Sequence, residues 1–125
     1  MTMTVTRKLF LAALVMTTAS VAAVAEQGAK ATISGWVIDS ACAFTKGLDK
    51  PISKQCAVAC ATNGSPLVIM QDDGTIFLPV SDKMPATAQN QKLLPYAGQY
   101  VTVTGKEYMR AGAHALLIET IAAKK

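Results

Sequence analysis

The chain has 125 residues, of which 51% are hydrophobic and 16% charged, and a formal net charge of +4. That length allows one small domain, large enough to bury a core without covalent staples. Its lysines are scattered and do not interleave with the few aromatics, so no nucleic-acid partner is expected, and nothing beyond the N-terminal region is apolar enough to span a bilayer.

In chain order, Arg7 and Lys8 precede an apolar run from Leu9 to about Val15, then small residues and Ala23-Val24-Ala25 before Glu26. These are the charged, apolar and A-x-A parts of a secretory signal peptide. Thr17, Thr18 and Ser20 dilute the run below the ~20 apolar residues a transmembrane anchor needs. The expected signal peptide is therefore residues 1–25, and the expected product is a single exported domain of residues 26–125, periplasmic or secreted, with no membrane span after cleavage. Cleavage lowers the 12 basic residues to 10 against 8 acidic ones, a net charge of +2.

Residues 31–38 (ATISGWVI) read as a first strand whose interior glycine, Gly35, suggests a bend or bulge, ending at Asp39-Ser40. Pro51 or Ser53 is placed to start a short helix, Gln55 through Thr62 has helical composition, and Asn63-Gly64 stops it. Residues 66–71 and 75–80 form a hairpin around Asp72-Asp73-Gly74, a turn without calcium-loop spacing. A polar, alanine-containing stretch from Lys83 to Leu94 reads as an irregular helix closed by Pro95. Residues 98–105 alternate apolar and polar and continue to about Arg110, Ala111-Gly112-Ala113 turns, and residues 114–121 return. Trp36, Phe77 and Leu116-Leu117-Ile118 are expected in the core, and Phe44 over the open end of the barrel or, alternatively, lining a ligand surface.

Five strands with a connecting segment before the fourth is the order of the OB-fold. The expected class is mostly β: a five-stranded OB-like barrel with a short helical, cysteine-containing insertion between strands 1 and 2. The stretches GWVIDSAC, C-x3-C, NGSPLVIM, YAGQYVTVTGKEY and LLIETI together resemble small exported bacterial proteins of uncharacterised function with an OB-like barrel and a C-x13-C-x3-C loop. The resemblance spans nearly all of residues 26–125 and implies the barrel but no activity. Where its pattern places a histidine three residues after the first cysteine, this chain has Thr45.

All three cysteines, Cys42, Cys56 and Cys60, lie in the insertion. Their spacing matches neither a C-x2-C exchange motif, nor a haem attachment site, nor a pair of zinc knuckles. Three readings remain. A structural disulfide from Cys42 to Cys56 or Cys60 suits an oxidising compartment, whereas Cys56 to Cys60 is disfavoured because residues one helical turn apart hold their Cβ atoms ~5–6 Å apart. Alternatively, Cys42, Cys56 and Cys60 ligate a soft ion, Cu(I) or Zn2+, with His114 as a fourth ligand. In an OB-fold the loops after strands 1 and 4 share one side, which brings the insertion and His114 together. A thiol-redox role is the third reading, with Lys54 close in sequence to Cys56.

With one histidine and no G-x-S-x-G, no hydrolase machinery is legible. The expectation is a small binding module for a ligand or protein partner rather than an enzyme. Metal binding or thiol redox chemistry is its alternative.

Overall fold

The computed structural model describes residues 28–125; the expected signal peptide lies outside them. Five strands close into a barrel: β1 (Ala29–Asp39), β2 (Leu67–Met70), β3 (Ile76–Pro79), β4 (Tyr100–Arg110) and β5 (Ala113–Ala123), in the spatial order β1-β2-β3-β5-β4. Neighbours are antiparallel except β3 and β5, which run parallel. The expected five-stranded OB-like barrel is therefore present, with its cysteine-bearing helical insertion between β1 and β2. No helix among the described residues is long and apolar enough to cross a membrane.

Alternation along the strands decides which residues fill the barrel. Ile33 and Val37, Leu67 and Ile69, Phe77, Val101 and Val103, and Leu116 and Ile118 project inward and form one buried cluster. The opposite face of the first hairpin is also covered: Ile38, Val68 and Met70 pack with Ala43, Leu48 and Ile52 of the insertion. Burial on both faces explains why β2 reads Leu-Val-Ile-Met without a polar residue. Gly35 makes no bulge. It lets β1 approach β2, because a Cβ there would stand 2.5 Å from the Met70 carbonyl oxygen. The register shift falls instead at Thr104/Gly105 in β4.

The insertion holds two helices, α1 (Ser40–Thr45) and α2 (Lys54–Thr62). Ser53 caps α2, accepting the Cys56 N–H, and Ala57 and Ala61 of α2 close the barrel end together with Leu93 and Ala97. The stretch expected as a helix from Lys83 is helical only over α3 (Asn90–Leu93), followed by a 3-10 turn at Leu94–Tyr96. Pro85 keeps its predecessor Met84 out of the helical region, which excludes a helix start at Lys83. Asn90 ties α3 to the end of the insertion: its Oδ1 accepts the Leu67 N–H at 2.8 Å and its Nδ2 donates to the Ser65 carbonyl at 2.9 Å.

Candidate functional site

Two features meet at α1, a thiol-lined crevice on one side and an open cleft on the other. Asp39, the last residue of β1, starts the helix. Its backbone is extended, and its Oδ1 accepts the Cys42 N–H at 3.0 Å. Asp39 is only 1% exposed and is the sole polar residue among the buried side chains of the described chain. Its position follows from sequence: the inward–outward alternation of β1 ends in Val37-Ile38-Asp39, all buried, and the helix that follows needs a cap.

Cys42 therefore sits on helix α1. It lines a crevice of about 20 Å³ with Asp39, Lys50, Ser53, Cys56 and Ala57. Cys56 is exposed, while Cys42 and Cys60 are partly covered, and all three are free thiols. A hydrogen bond to Asp39, then burial and the nearby negative charge, push the Cys42 thiol above its ordinary value. Burial, then the Asp39 charge and Cys56, do the same for Cys60. The three cysteines and Asp39 thus feel one another. With α2 helical through both residues, the ~5–6 Å between Cβ atoms one turn apart exceeds the ~3.5–4.5 Å of a disulfide, so Cys42 is the better partner for Cys56.

The second feature is a cleft of about 730 Å³. Its floor is Val68, Ile76 and Leu78, one wall is Ser40 and Phe44 of α1, and the other is the β4–β5 hairpin from Tyr108 to Ala115. Phe44 does not cover the barrel end as expected: it is 77% exposed at the rim of this cleft. The hairpin closes through a two-residue turn, with Ala111 at φ 47° and Gly112 at φ 84°, and pairs Arg110 with Ala113. That register sets Glu107 and His114 on one face as diagonal neighbours. His114 Nδ1 lies 2.6 Å from Glu107 Oε1, and its ring packs on Phe77 at 5.1 Å between centroids.

The insertion and the hairpin do border one cleft, but His114 lines that cleft whereas Cys42 and Cys56 line the separate crevice. Among the described residues, no three His, Cys, Asp or Glu side chains are disposed to hold a metal ion. Asp39, Glu107 and Arg110 do not stand out in the sequence as parts of a site. The signals for them are the D-x-x-C capping pattern and the register that a two-residue turn imposes. No protein-family model, curated protein or solved structure matches the chain. Of the family resemblance, the five-stranded barrel is what stands.

Proposed function

We propose that this protein is an exported binding module whose ligand occupies the cleft between α1 and the β4–β5 hairpin, with the insertion clamped by a disulfide between Cys42 and Cys56. The cleft carries this reading. Its volume of about 730 Å³ lies within the ~300–1,000 Å³ common for small-ligand sites. Its floor is apolar, with Phe44 and Leu78 exposed. Arg110 supplies a cation that has no carboxylate partner among the described residues. The matching ligand has an apolar body and an anionic end. Clamping Cys42 to Cys56 closes a loop of about 15 residues and contributes about 3 kcal/mol in the chain-entropy picture. It also fixes α1, and with it Phe44, on the barrel.

Anilinonaphthalene sulfonate, an aromatic anion, is the simplest probe. We expect saturable fluorescence enhancement with the folded protein, weakened about tenfold by Phe44→Ala, equivalent to ~1.4 kcal/mol, and also weakened by Arg110→Ala. Enhancement indifferent to both substitutions would place the dye elsewhere and remove the cleft as the binding site.

A further inference from the structure

The crevice beside α1 holds more thiol chemistry than an inert clamp requires. A single structural bridge uses two cysteines, and it resists reduction best when both are covered. Here Cys56 is exposed, Cys42 lines the same crevice, and Cys60 lies one turn further along α2. Cys56 is the third residue of the nine-residue α2, at its solvent-exposed first turn. We propose that Cys42 and Cys56 form a thiol–disulfide exchange pair that reacts with disulfide-bearing molecules entering from solvent, Cys56 attacking and Cys42 resolving. This rests on the pairing of Cys42 with Cys56 put forward above.

The exchange balances without any further reagent. The Cys56 proton passes to solvent and its sulfur attacks one sulfur of the incoming disulfide. A Cys56–S–S–R bond forms, the incoming S–S bond breaks, and the departing sulfur leaves as thiolate and takes a proton. Cys42 then releases its proton to solvent and attacks the Cys56 sulfur. The Cys42–Cys56 bond forms and the second thiol departs protonated. The protein pair is oxidised by two electrons and the incoming disulfide is reduced to two thiols; reduced thiols in excess drive the reverse.

Exposure sets the order: Cys56 is open to solvent, whereas Cys42 and Cys60 are partly covered. The hydrogen bond to Asp39 at Cys42 and burial at Cys60 also push those two thiols above their ordinary values. Cys56 therefore meets the incoming disulfide first, and Cys42 reacts only once the mixed disulfide is held beside it. Because α1 carries Cys42 towards one side and Phe44 towards the other, the same exchange ties or releases the wall of the ligand cleft.

The test uses reduced residues 26–125, glutathione disulfide as the probe, acid quenching, alkylation and peptide mapping by mass. We expect the wild type and Cys60→Ser to end with Cys42 joined to Cys56. Cys42→Ser should instead accumulate one glutathionyl group on Cys56, and Cys56→Ser should form any adduct about tenfold more slowly, in keeping with the covered positions of the other two thiols. Far-ultraviolet dichroism of each variant checks that it is folded. A first adduct on Cys42 or Cys60 overturns the proposal. So does a Cys42–Cys56 bond that survives excess reduced glutathione in the folded protein, although the clamp would then stand. If no Cys42–Cys56 bond forms under any condition, both the exchange and the clamp fall.

Discussion

Leu116→Ala is expected to destabilise the protein by about 3 kcal/mol, within the range for leucine truncation in a core that cannot collapse around the void. Leu116 is 0% exposed and sits at the strand junction that closes the barrel. It pairs with Pro79 of parallel β3 on one side and with Glu107 of β4 on the other, and its carbonyl accepts the Val80 N–H at 3.0 Å. Its neighbours belong to strands held in ladders, so relaxation into the space is limited. At roughly 4–8 °C per kcal/mol for a domain of this size, the melting temperature should fall by more than ten degrees. Leu78→Ala, at a 47% exposed position of adjacent β3, should lose far less. Equal losses at the two sites would mean that Leu116 is not enclosed as described.

Gly105→Ala is expected to cost a comparable amount, about 3 kcal/mol, at the upper end for forced overpacking because the obstacle is backbone. The β4–β5 register shifts at Thr104/Gly105, and a Cβ on Gly105 would run into the Leu117 carbonyl group. No side-chain rotation relieves that contact, so one strand must move. The displaced segment leads to the hairpin that forms one wall of the cleft, and dye binding should weaken in parallel with the loss of stability. Urea unfolding of Gly105→Ala beside Gly64→Ala separates close approach from strained backbone: Gly64 has a positive φ of 95°, but a Cβ there would meet nothing within 4 Å. A Gly105→Ala curve overlaying that of the wild type would refute the contact.

The parts of the fold that are legible in sequence are those governed by local rules. Alternation across residues 98–105 and 114–121, turn residues at 72–74, and a serine cap before a helical run each reflect one element's own chemistry, and each element appears. Their order matches that of the OB-fold, and the barrel itself is closed by the distant pairings of β1 with β4 and of β3 with β5. What the sequence hides depends on contacts distant along the chain. Helix α1 is six residues long and owes its existence to the buried Asp39 cap and to Ala43 packing on the outer face of the β1–β2 hairpin. Phe44 reads like any apolar residue until the helix turns it outward. Glu107 meets His114 only because the hairpin turn is two residues long instead of three, which shifts the pairing by one position. The gathering of Cys42, Cys56 and Cys60 is suggested by spacing, whereas the acid at its centre reads in sequence only as a turn residue.

The most direct test is the intact mass of the protein isolated from its producing cells and their surroundings without reductant, combined with alkylation, peptide mapping and elemental analysis. The clamped, metal-free binding module predicts a mass short by one pair of hydrogens, Cys42 joined to Cys56, Cys60 as the single alkylated cysteine, and no stoichiometric metal. Three alkylatable cysteines, or copper or zinc bound one to one, would contradict it.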